Sequence, residues 1–136
     1  MNDLQQGEFP IESENDIVSA RRLVRNAAVA AGFGLTDVTR IVTAASELTR
    51  NIYVHAKSGV MRWRFLKSES KVGLELTFED SGLGIPNVAK AMEAGYSTGN
   101  GLGMGLPGAK RLTDEMTVHS EVGKGTTVVV RKWLTK

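Results

Sequence analysis

The chain has no cysteine, which excludes disulfide scaffolds and thiolate metal sites. It has only 3 prolines, and aromatic residues make up 6% of it. Formal charge nearly cancels, 17 basic against 15 acidic side chains for a net +2. That balance argues against a nucleic-acid-binding domain built on a basic surface, even though arginines recur at 21, 22, 25, 62 and 64. No uninterrupted apolar run is long enough to cross a bilayer, and no basic cluster leads into an apolar stretch near the start. Repeats and low-complexity tracts are absent too. These absences leave a soluble, cytoplasmic domain as the expectation, and 136 residues suit a single core spanning 1–136.

What is present is glycine, 15 residues of it, concentrated where the pattern breaks. The run from Gly95 to Leu112 holds six glycines, with Gly101, Gly103 and Gly105 at alternate positions. Leu106, Ala109 and Leu112 then take up helical spacing behind Pro107, which predicts a helix over 106–115. A glycine-rich loop opening into a helix N-terminus offers free N–H groups and a positive dipole end to a phosphate. The bland reading is a flexible surface loop. Gly103-x-Gly105-x-x-Gly108 has the spacing of a dinucleotide fingerprint, but no strand precedes it. A Walker A loop fails because Ala109 stands before Lys110. Eukaryotic protein kinase signatures are missing.

Upstream, residues 17–31 and 36–54 have helical periods. Ser13 with Asp16 predicts a capping box for the first helix, and Thr36 the N-cap of the second. Phe9 and Ile11 fit a short edge strand. Residues 61–65 and 72–79 alternate with period two, as a hairpin with one buried face around a turn at 67–71. Glu75 is expected opposite an arginine on the wet face of that hairpin. A short helix is expected over 88–94, and a final hairpin from 116–120 and 126–133. Helices and hairpins in this order predict an α+β fold, a two-layer sandwich with a mostly antiparallel sheet and helices on one face.

Two further motifs carry chemistry. Glu47 and Asn51 stand one helical turn apart, beside small Ala44. Asn51 offers a hard oxygen suited to Mg²⁺, and Glu47 a carboxylate suited to taking a proton from a hydroxyl. A solvated helix face explains the same residues more simply. Asp80, in Asp80-x-Gly82-x-Gly84, continues the inward register of Leu76 and Phe78. Asp, Ser and Gly are common turn formers, but an inward carboxylate is costly unless something hydrogen-bonds it. The exocyclic amine of a purine is such a donor. The two histidines, His55 and His119, have no cysteine partners and predict no metal site.

Taken together, the order of these motifs is more specific than any one of them. Glu-x-x-x-Asn, Asp-x-Gly-x-Gly, Gly-x-Gly-x-Gly and the late Gly123-x-Gly125-Thr126 together resemble the GHKL ATPase superfamily over about residues 13–134. Within it, the stretches 45–53, 79–86 and 101–112 resemble the anti-sigma-factor serine/threonine kinases, nearest to the stressosome switch kinases. The resemblance implies the Bergerat fold and ATP with Mg²⁺ as cofactors. By that resemblance Asn51 holds the metal, Glu47 is the general base, and Asp80 binds the adenine amine with help from Thr126. Gly82 and Gly84 make room for base and ribose. Gly101, Gly103 and Gly105 form the lid over the phosphates with Leu106, and Lys110 and Arg111 add charge near the γ-phosphate. The implied partners are a STAS-domain substrate, a stressosome scaffold protein and a PPM-type phosphatase, with no nucleic acid and no membrane. The alternative is a nucleotide-gated anti-sigma or phosphatase-binding module without kinase turnover.

Overall fold

The computed structural model describes residues 6–82, 84 and 105–134. Its elements run β1 (Gln6–Ile11), α1 (Asn15–Ala31), α2 (Leu35–Ala56), β2 (Gly59–Ser68), β3 (Lys71–Asp80), α3 (Gly105–Leu112), β4 (Glu115–Glu121) and β5 (Gly125–Trp133). The strands form one sheet in the order β1-β2-β3-β5-β4. All four pairings are antiparallel, and β1, which carries Pro10, lies on an edge where a missing N–H does least harm.

Among the described residues three helices cover one face. The α2 helix packs against both α1 and α3, so it is the middle of the helix layer. Its predicted stripe of Val38, Ile41, Val42, Ala45, Leu48 and Ile52 is buried. Below it the inward side chains of β2 and β3 close the core, with Met61, Leu74, Leu76 and Phe78 at 2% exposure or less. The small buried residues of α3 (Pro107, Gly108 and Ala109) let that short helix sit close to α2.

Three local expectations need correction. The N-cap of α2 is Gly34, not Thr36. Gly34 is extended (ψ 173°), and its carbonyl accepts the Val38 N–H at 2.9 Å, so the helix starts two residues earlier. The last helix ends at Leu112 rather than Glu115. Asp114 is tied to β5 instead: its N–H donates to the Arg131 carbonyl, and its carboxylate accepts the Trp133 N–H at 2.8 Å. Only half of the predicted capping box forms. The Asp16 carboxylate accepts the Ser13 N–H at 3.0 Å, while the N-cap itself is Glu14, with no side-chain cap.

The other face of the sheet is open, and ion pairs cross it. Arg62 bridges Glu8 and Glu79 at 2.9 and 2.7 Å. Glu75 does meet an arginine, and in fact meets two, Arg64 at 2.7 Å and Arg131 at 2.8 Å. It is not wet, however: long side chains on both sides leave the residue only 7% exposed. Burial by itself would push the Glu75 carboxyl up, but the hydrogen bonds and charges of the two guanidinium groups hold it below the ordinary carboxylate range. Among the described residues no helix is long and apolar enough to cross a membrane.

Candidate nucleotide site

Asp80 and Thr126 meet where β3 ends, under the C-terminal half of α2. Asp80 is the last residue of β3 and pairs with Gly59 on β2 and Thr126 on β5. Directly opposite residues point to the same face, so Asp80 and Thr126 share the face that carries Phe78 and Val128. Both are half-buried. The helix layer is near: a Cβ on Gly59 would stand 2.8 Å from Ile52 Cγ2 and 3.2 Å from Asp80 Cβ. Asp80 thus lies on the helix-facing side of the sheet, in the neighbourhood of Ile52 on α2, and not on the open face.

The carboxylate is held in place. Asp80 Oδ1 accepts the Gly82 N–H at 2.9 Å, closing an Asx turn at the strand end. That turn brings the chain under α2, where a Cβ on Gly82 would stand 2.7 Å from the Ala56 Cβ. Glycine at 82 therefore has a reason in the protein's own packing, beside any ligand. Gly84 lies beside the backbone of Glu121 and Val122, at the β4–β5 turn.

On α2, Glu47 and Asn51 are half-buried and a turn apart, a rise of about 6 Å. Between them lies a residue that the sequence reading passed over. Arg50 Nε is buried and has no hydrogen-bond partner among the described residues. A buried, unpaired donor is costly, and a phosphate oxygen would satisfy it. Acceptors for a purine amine on β3 and β5 and a hard amide oxygen on α2 are groups that fit a magnesium nucleotide, and Arg50 Nε on the same helix is a donor in need of an acceptor.

Two further candidates stand on α3. Lys110 and Arg111 are exposed on the last turn of α3, where they complement the negative end of the helix dipole. Gly105 opens that helix with φ +43° and leads into buried Leu106. Gly101, Gly103 and the short helix expected over 88–94 lie outside the described residues. Sequence reasoning also missed Ser120 on β4, whose hydroxyl lies 2.8 Å from Thr126 Oγ1. The only trace of it in the sequence is the inward register of β4, since Ser120 alternates with Val118 and Met116.

Comparison with known proteins identifies the family. Residues 36–136 match the family described as histidine kinase-, DNA gyrase B-, and HSP90-like ATPase. The chain is 49% identical over 134 residues to the serine/threonine-protein kinase RsbT of Bacillus subtilis, covering 98% of this chain and 99% of that one. It is 31% identical to an anti-sigma F factor of Caldanaerobacter subterraneus, covering 98% and 95%. Among solved structures it resembles the RsbU and RsbW domains of a Mycobacterium tuberculosis protein. The TM-score there is 0.61 at 21% identity, over 93% of this chain and 32% of that one, a likeness of fold.

Proposed function

The chain belongs to the histidine kinase-, DNA gyrase B- and HSP90-like ATPase family as an RsbT-like serine/threonine-protein kinase, and we propose that it phosphorylates a serine on a STAS-domain partner in a bacterial stress-response partner switch. The observation that carries the site is the placement of Asp80 and Thr126 side by side, against the helix that bears Glu47 and Asn51.

Bound MgATP supplies the γ-phosphoryl group and the charge neutralisation that lets it leave. The chain's own residues do the rest. Asp80, fixed by the Gly82 N–H, accepts the adenine amine with Thr126 beside it. Asn51 gives its side-chain oxygen to the metal. Glu47, a turn earlier, takes the proton of the incoming serine hydroxyl. The N-terminus of α3 with Gly105, and the glycines before it, supply N–H groups to the phosphates. The acceptor is a stressosome scaffold protein, and after release the kinase binds and activates a PPM-type phosphatase. The similarity to RsbT along nearly the whole chain supports this reading of the partners.

The test is transfer of labelled phosphate from ATP to the STAS partner by wild type and Glu47→Gln. We expect nucleotide binding to survive the substitution while transfer falls about 10²-fold or more. Unchanged transfer removes Glu47 from the role of base. Absence of transfer in wild type, with the partner bound, favours a nucleotide-gated binding module.

A further inference from the structure

Ser120 stands opposite Thr126 across the β4–β5 pair. Its Oγ lies 3.1 Å from the Gly125 carbonyl oxygen and 2.8 Å from Thr126 Oγ1. A hydroxyl has one proton to give, and a carbonyl can only accept. The Ser120 proton therefore goes to Gly125, and in the second contact Thr126 is the donor. The direction of this relay is pinned at its far end, because Gly125 cannot reverse its part. Gly125 is itself fixed in place: it is buried, has φ +120° and packs against Ser81 Cα.

With its proton directed at Ser120, Thr126 has only lone pairs left to present elsewhere. Thr126 is opposite Asp80, whose carboxylate is likewise an acceptor. We propose that Ser120 is a positioning residue that sets base specificity: it holds Thr126 as an acceptor, so that this end of the site takes a ring amino group and rejects a ring carbonyl. The proposal rests on the nucleotide-site reading above. Adenine has an exocyclic amine whose N–H groups face two neighbouring acceptors. Hypoxanthine and guanine have a carbonyl oxygen at the same ring position, which would meet lone pairs on both sides. Without Ser120, the Thr126 hydroxyl is free to rotate and donate to that carbonyl.

The experiment measures dissociation constants of MgADP and MgIDP by calorimetry for the full chain, as wild type, Ser120→Ala, Ser120→Thr and Thr126→Val. Wild type should prefer ADP. In Ser120→Ala the ADP-to-IDP preference should shrink on the order of five- to tenfold, chiefly through a gain for IDP, and Ser120→Thr should restore it. Thr126→Val leaves Ser120 in place and removes the acceptor, so it should narrow the preference chiefly through weaker ADP binding, and the proposal does not depend on one variant folding. An unchanged preference in Ser120→Ala, or an equal loss for both nucleotides, overturns the role of Ser120 and leaves the nucleotide site standing. Failure of wild type to bind ADP at all overturns both.

Discussion

Two guanidinium groups reach the carboxylate of Glu75, from β2 on one side and β5 on the other. Because the carboxyl is held low in the folded chain, its contribution to stability is complete above the unfolded value of about 4.3 and is lost as pH falls through the folded one. Glu75→Gln should therefore cost about 1–2 kcal/mol near pH 7. The gap between variant and wild type in denaturant titrations should close as pH drops below about 4. A gap that stays constant down to pH 3 would mean that packing, not charge, makes the difference. At this scale the sequence was legible wherever a residue's role follows from its own strand. The period of β3 gives both the inward register of Asp80 and the pairing of Glu75 with an arginine. Arg50 and Ser120 were not legible, because their roles depend on what covers a helix face and on which residues a turn brings into register.

The β4–β5 turn contains two glycines that are alike in sequence and different in structure. Gly123 has φ +83° and nothing within 4 Å of a would-be Cβ. Gly125 has φ +120°, is buried, and a Cβ there would stand 2.8 Å from Ser81 Cα. Gly123→Ala should cost about 1 kcal/mol from backbone conformation alone. Gly125→Ala adds a clash with the end of β3 and should cost about 2–4 kcal/mol. It should also weaken nucleotide binding, because the Asp80–Thr126 pairing lies at the same point. Chemical denaturation of the two variants compares them directly, and equal costs would contradict this account of the turn. Element types were readable because hydrophobic period differs between helix and strand. Element ends were not, because they are set by contacts from elsewhere: Asp114 leaves its helix for β5, and an extended Gly34 starts α2 ahead of Thr36.

The whole molecule divides its sheet into a covered face and an open one. The covered face holds the core and, at one end, the polar row of Asp80, Thr126 and Ser120. The open face holds the ion pairs. Strand order had no local signal: β5 inserts between β3 and β4, and that insertion is what places Thr126 next to Asp80. The motif order along the chain pointed to the family before any pairing was known, since spacing between motifs survives where strand order cannot be read. The central claim is that Asp80 reads a nucleotide held against α2, and a thermal-shift titration with MgADP on wild type and Asp80→Asn tests it most directly. At ligand concentrations near a hundredfold over Kd, wild type should gain roughly 5–10 °C in Tm by mass action, and Asp80→Asn under about 2 °C at the same concentration. Equal gains in the two proteins would contradict the account.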